Sequence, residues 1–388
     1  MYMRIPKITA SALTIIYCIV IHISPSLAQS KLNSNKKGAE KPFSFPVQME
    51  MRVPFTPTAF QNGSKSYLLY ELYLTNFSNS DIHLQAIKLL NEKMVTAKEV
   101  SLFDSAQLVN MVQTFGESSA SANKLIIKGG QCVIMFMQVA TDRKNALPDK
   151  LLHRLITQND SLDGAVINTH HTTLQVLVPP VKGTNWLAAD APSNDADNHH
   201  RRGVVILNGR ATNSRRFAID WKKVRDGVSF SGNSRDVQAY LCYGEPVYAV
   251  DNGRVVKEVD GLPNNIPGHG AQFHPAIPLT FERLAGNTIV IDLGNGHYAH
   301  YMHLQPGSLL VKKGDIVHKG DLLAKIGASG DAREPHLHFE ITTSSNLLLG
   351  EGLPYLIEQF WLHKPNGETT EMRTRELPID EQIVDFKK

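Results

Sequence analysis

The chain has 388 residues, 42% of them apolar and 20% charged, with a formal net charge of +3 at neutral pH. That length accommodates two ordinary globular domains and not three. The near-neutral balance, with no basic stripe, excludes nucleic acid as an electrostatically driven partner.

Arg4 and Lys7 precede an apolar run over residues 8–23, which is followed by Ser26-Leu27-Ala28 and then Gln29. A positive start, a short apolar core and small residues before the cut predict a secretory signal peptide over residues 1–28. The run is shorter than the roughly 20 apolar residues of a spanning helix, so no stable membrane anchor is expected. The protein is therefore expected to be exported, to the periplasm or cell envelope. Cleavage after Ala28 takes two positive charges with it and leaves +1. Only Cys132 and Cys242 then remain, one in each half, and both are expected to be free, buried thiols.

Residues 29–180 read as strands. Leu68, Tyr70, Leu72 and Leu74 alternate with Tyr67, Leu69, Glu71 and Tyr73, the period-two pattern of a half-buried strand. Residues 125–127, Gly129-Gly130 and residues 132–139 read as strand, turn and strand. Leu174, Val176 and Val178 close the series, and residues 97–112 are the one helical prediction. Short strands between turn residues predict a β-sandwich, immunoglobulin-like in style. His170 and His171 would point to opposite faces of a strand and read as a surface pair, not a site.

Pro179-Pro180 ends this half. Residues 181–198, with the small, polar and acidic stretch 188–198, are predicted to be an interdomain linker that cannot fold alone. Residues 199–345 read as a second strand-rich domain. Residues 203–207, Asn208-Gly209 and 217–221 suggest a hairpin, with further strands at 247–250, 288–292, 297–302, 316–326 and 336–341. Residues 346–388 form a C-terminal extension that packs back through Tyr355, Phe360 and Trp361, its tail from Thr369 polar and mobile.

The sharpest motif is Pro335-His336-Leu337-His338-Phe339-Glu340. Histidines at i and i+2 of a strand share a face, roughly 7 Å apart at the strand rise of about 3.3 Å per residue. One imidazole can hold a metal while its neighbour reaches a water or substrate oxygen beside it. Upstream, Tyr301-Met302-His303-Leu304 follows a Gly294-Asn295-Gly296 turn, and Asp220 ends the segment Arg216-Phe217-Ala218-Ile219-Asp220. His318 reads as a surface residue. Residues 311–320 share strand-turn logic with lipoyl and biotinyl carriers, but no lysine with a carrier's flanking motif sits at a hairpin tip.

The order Asp220, Tyr-x-His-Leu, Gly-Asp-x-Val-x-x-Gly (residues 314–320), Ser329-Gly330 and Pro-His-Leu-His-Phe-Glu resembles the lysostaphin/LytM zinc metallopeptidase family over residues 200–341. Residues 244–255 are similar to that family's first core strands and turn. The resemblance implies a duplicated-hybrid-motif (barrel-sandwich) β domain. The expected fold is therefore mainly β, an N-terminal β-sandwich-like domain followed by that second domain. It also implies one Zn2+ and an exported zinc metalloendopeptidase that hydrolyses the peptide cross-links of peptidoglycan. Carried over residue by residue, Asp220 and His338 become metal ligands, and His303 and His336 the catalytic pair.

The sequence departs from the family pattern at one position. The family's first zinc ligand, four residues before the aspartate, is here Arg216, whose guanidinium has no lone pair to give. Two readings follow. In one, another histidine completes the site. His199 or His200 would do so if their strand pairs with residues 216–221 across the Asn208-Gly209 turn. His269 and His274, in the insert between Val259 and Thr288, are further candidates. In the other, the domain is a metal-free LytM-like module that binds cell wall or regulates another hydrolase. The joint presence of Asp220, His303, His336 and His338 in order favours the first.

Overall fold

The computed structural model describes residues 45–93, 98–114, 123–364 and 370–386, so the predicted signal peptide lies outside the described residues. The architecture is mainly β, as expected, and no barrel closes among the described residues. No helix among them is long and apolar enough to cross a membrane.

The first part is a sandwich of two five-stranded sheets. One sheet runs Met49–Arg52, Lys65–Asn76, Cys132–Asp142, Val112–Thr114, with Phe60–Asn62 also on Lys65–Asn76; the other runs Ser161–Asn168, Lys150–Thr157, Ile82–Asn91, Glu99–Asp104, with Ile126–Ile127 also on Ile82–Asn91. Leu68, Tyr70, Leu72 and Leu74 point into the core, against Val133, Met135, Ile87, Leu89 and Leu155. The predicted helix over 97–112 is mostly replaced by the strand Glu99–Asp104 and a short helix, Ser105–Met111. The Asp104 side chain accepts from Gln107 N, while the Gln107 side chain accepts from Asp104 N, and this capping box sets the late helix start.

Lys65–Asn76 was expected to be half-buried, yet both of its faces are covered. Leu69 joins the core of the second part, and Tyr73 packs with Ile134 and Phe136 against Val204 and Ala211. The second part lies directly on the outer face of the sandwich.

That second part is built on an eleven-stranded sheet. Its path is Gln175–Leu177, Tyr355–His363, Ile383–Phe386, Gly183–Ala189, Ile219–Lys223, Leu337–Thr342, Tyr298–Leu304, Asn287–Asp292, Gly253–Val259, Ile316–Val317, with Thr370–Glu376 beside Tyr355–His363. Three expectations change here. The first part of the predicted linker, Gly183–Ala189, is an interior strand, because Trp186, Ala188 and Ala189 bury completely or nearly so. The polar run that suggested a linker begins only at Asp190. The C-terminal tail forms strands rather than a mobile end, as Val384 and Phe386 belong to the core. Asn208 and Gly209, both with positive φ, fold Val205–Leu207 onto Arg210–Thr212 as a separate ribbon. Residues 217–221 lie outside that hairpin, since a 3-10 turn over Ser214–Phe217 intervenes.

Cys132 and Cys242 are both free. Cys242 is buried and its thiol donates to Pro335 O at 3.1 Å; Cys132 is only half-buried.

Between the two parts sits a buried ion network. Glu71 is gripped by Arg216, whose Nη2 is 2.6 Å and Nε 2.9 Å from Glu71 Oε2, and by Arg201 Nη1 on the other carboxylate oxygen. Arg216 Nη2 also reaches Glu351 Oε2 at 2.8 Å. Burial alone would raise the Glu71 carboxyl, but the two guanidinium groups outweigh it and hold it down to about 2. Replacing Arg216 with Met should leave Glu351 buried without its cation and lower unfolding stability by about 3–5 kcal/mol. Urea denaturation tests this, and a loss under about 1 kcal/mol would show that the pair does not hold the parts together.

Inside the sandwich His153 is neutral. Its Nδ1–H donates to Ala165 O at 2.7 Å, and its Nε2 accepts from Tyr70 OH at 2.7 Å. Burial pushes this imidazole down to about 4, despite the carbonyl bond. As pH falls the unfolded chain, with an ordinary histidine near 6.5, takes up the proton first. Stability from this residue is therefore whole above pH 6.5 and lost between there and about 4. Denaturant titrations should show wild type losing on the order of 2 kcal/mol more than His153→Phe between pH 7 and 5. Equal slopes would refute the neutral assignment.

Candidate active site

The Ile219–Lys223, Leu337–Thr342 and Tyr298–Leu304 strands are neighbours, with Asp220 opposite His338 and His338 opposite Met302. Cross-strand partners share a face, so Asp220, His338 and, by alternation, His336 and Glu340 project to one side. His303 would point the opposite way in a regular strand. Its φ of 62° breaks the alternation, and the ring swings to within 4.8 Å of His336 between centroids. A left-handed backbone at a histidine costs on the order of 1–3 kcal/mol, a strain typical of functional positions.

The fourth and fifth histidines come from the irregular segment after Gly183–Ala189. Since Ala189 lies opposite Asp220, the chain that follows it turns over the same face, and Asp190 has a φ of 50°. His199 and His200 thus arrive at Asp220, though in a turn and not on a paired strand as expected. The donor atoms of His199, His200 and Asp220 all lie within 4.8 Å of one another. His200 Nε2 is 3.4 Å from Asp220 Oδ1, and His338 Nδ1 is 2.9 Å from the same oxygen. His336 Nε2 is 3.4 Å and His199 Nε2 4.0 Å from Asp220 Oδ2.

Backbone carbonyls set the tautomers. Nδ1–H of His200 donates to Asp190 O at 3.0 Å, that of His303 to Ser329 O at 2.8 Å, and that of His336 to Glu334 O at 2.8 Å. Each of these rings therefore keeps its Nε2 lone pair free toward the cleft. His338 is turned the other way round, Nδ1 on Asp220 and Nε2 3.5 Å from Glu340. Burial lowers the His200, His336 and His303 imidazoles, with His336 and His338 pushing His303 lower still. Burial acts against His338 too, but its two carboxylate neighbours raise it to about 9. Asp220 is held well below the usual carboxylate range, since His336 and His200 outweigh its burial.

The donor set suits a divalent metal. His200 Nε2 is buried with no hydrogen-bond partner, an orphan that a metal bond would satisfy. Ligand atoms around a tetrahedral ion with bonds near 2.0–2.1 Å stand about 3.3 Å apart. The contacts of Asp220 Oδ1 with His338 and His200, 2.9 and 3.4 Å, bracket that edge. His199 fits less well. It is 54% exposed, and its Nδ1 pairs with Asp190 at 3.0 Å. Arg216 puts no charge into this cleft, because its guanidinium is turned to Glu71 and Glu351.

The cleft, of about 520 Å³, collects His199, His200, Asp220, His303, His336 and His338, every site residue expected from the sequence. Leu284, Ala285, Leu347 and Leu348 give it apolar walls, and Arg215, Lys222 and Arg333 a cationic rim. His269 also lines it; His274 does not. Sequence reasoning missed Glu340, buried behind His338, although its place two residues along the same strand was the available signal. It also missed Asp190, whose side chain and carbonyl orient His199 and His200.

Residues 233–348 match the model of Peptidase family M23. The match takes in His303, His336 and His338 and begins after His200 and Asp220. Peptidoglycan DD-endopeptidase ShyB of Vibrio cholerae serotype O1 is 34% identical over 98 residues, 25% of this chain and 18% of that protein. Peptidoglycan DD-endopeptidase ShyA of the same organism is 42% identical over 57 residues, 15% of this chain and 13% of that protein. The chain thus spans less than a fifth of the length of either relative. Among solved structures, the catalytic domain of lysostaphin from Staphylococcus simulans is 21% identical, with 38% of this chain and 80% of that one covered and a TM-score of 0.22. Helicobacter pylori Csd3 is 12% identical, with 80% and 73% covered and a TM-score of 0.25. Over residues 233–348, this chain carries a domain of Peptidase family M23.

Proposed function

We propose that the protein is an exported zinc metalloendopeptidase that hydrolyses peptide cross-links of peptidoglycan. The observation that carries this reading is Asp220 at the centre of four histidines, two of them, His200 and His338, in contact with one oxygen at ligand spacing. The M23 match and the two DD-endopeptidase relatives support the reaction and substrate class. Asp220, His338 and His200 are the proposed ligands, His200 taking the place that Arg216 vacates. When bound there, zinc supplies a Lewis acid and lowers the pKa of its water to about 7.

The chain's own residues do the rest. His336 and His303 each give Nδ1–H to a backbone carbonyl and turn Nε2 to the cleft, so either ring can take a proton from the attacking water and return it to the leaving nitrogen. The protonated ring can then steady charge developing on the carbonyl oxygen. Asp220 stays ionised, and Glu340 holds the far side of His338. The metal-free alternative loses its motive, since Arg216 is engaged outside the cleft.

Metal analysis of purified protein should find one zinc per chain. His338→Ala should abolish it, and His200→Ala should weaken it by more than the roughly hundredfold limit of second-shell changes. His199→Ala should keep it. Folded wild-type protein without zinc, or a His200→Ala variant with unchanged affinity, would refute this ligand set.

His336→Ala and His303→Ala should retain zinc but lose about 10²–10⁴-fold in release of cross-linked peptides from purified peptidoglycan, followed by chromatography. Full activity in both would remove these histidines from the reaction.

A further inference from the structure

Glu71 belongs to the sandwich, far from the M23 match in sequence, yet it touches both arms of the metal site. Arg201 directly follows His200 and is completely buried. Its guanidinium contacts Glu71 Oε1, Tyr70 O at 2.8 Å and Met137 O at 3.0 Å, all on the sandwich strands Lys65–Asn76 and Cys132–Asp142. Arg216, four residues before Asp220, grips the same carboxylate through Nε and Nη2. Asn213 Nδ2 closes the circuit, donating to Glu71 Oε1 at 3.2 Å and to Arg201 O at 3.1 Å.

The two arms differ in how else they are held. Asp220 lies on a strand paired on both sides, so its position is fixed by the sheet. His200 lies in an irregular segment with no ladder, placed by local turn hydrogen bonds such as Gly203 N to His200 O and by side-chain contacts. Asn198 Nδ2 bonds Ala191 O, Arg202 bonds Met111 O and Asn194 O, and Arg201 is anchored on Glu71.

We propose that Glu71 is a positioning residue for the metal site: by anchoring Arg201 to the sandwich it holds His200 at ligand distance from Asp220. This rests on His200 being a ligand, as read above. Without the carboxylate, Arg201 and Arg216 become neighbouring buried cations that repel; Arg216 keeps Glu351 as a partner, which leaves the His200 turn as the part that yields. The sandwich is then a component of the metal centre, without contributing a ligand.

The experiment measures zinc affinity of the full chain by chelator competition. Variants are Glu71→Gln, Glu71→Asp, His200→Ala and His153→Phe, the last removing a different buried hydrogen bond from the same sandwich. Glu71→Asp keeps the charge but is too short to span both guanidinium groups, and it serves where Glu71→Gln does not fold. The expected result is zinc binding weakened about 10–100-fold by either Glu71 change, with His153→Phe within about twofold of wild type. Wild-type affinity in a folded Glu71 variant overturns the proposal. An equal loss in His153→Phe also overturns it, as general loosening of the sandwich. Wild-type affinity in His200→Ala instead sinks the ligand assignment beneath it, a distinct outcome read from a distinct variant.

Discussion

A single carboxylate, Glu71, joins segments that are 130 to 280 positions apart in the chain: Arg201, Arg216 and, through Arg216, Glu351. Taking such charges out of water costs several kcal/mol per ion, and only close, multiple hydrogen bonds recover that cost. The network meets the condition, with five hydrogen bonds to Glu71 and additional carbonyl partners for both arginines. Ion pairs of this kind are directional where apolar packing is not. The apolar contacts of Tyr73, Phe136, Val204 and Ala211 bring the two parts together, and the charges fix their register.

The cleft shows how little of its geometry depends on regular structure. Asp220, His338 and Glu340, all within strands, project as plain alternation dictates. His303 faces the cleft through a strained backbone, His336 precedes its strand, and His200 sits in a turn. What makes these three equivalent is a shared device, an Nδ1–H given to a backbone carbonyl. Each ring thus offers the same nitrogen to the cleft, with its ordering entropy already spent in folding.

Much of this was legible in the sequence. Period-two patterns located most strands, and the histidine motifs with Asp220 named the cleft. The failures have physical causes. The acidic stretch masks Trp186, Ala188 and Ala189, whose burial outweighs the polarity that follows. Local composition also cannot show that Glu71 is covered, because the covering residues come from elsewhere in the chain. Glu71 reads as the solvent side of an alternating strand until Arg201 and Arg216 are placed over it. The position of Arg216 suggested a damaged site for the same reason: its partners are 145 and 135 residues away, and only the fold reveals that it serves them.

The strand order also bears on when the molecule can come into being. Gly183–Ala189, which flanks the Asp220 strand, has its other edge completed by Ile383–Phe386. That pairing joins residues some two hundred positions apart, so a large loop must close before the sheet is whole. A chain emerging from its N-terminus can build the sandwich early, from contacts within its first half. It holds the Asp220 region beside an open edge until residues 383–386 have been made. The sheet that carries the cleft is thus completed only after every residue of the cleft itself has been made.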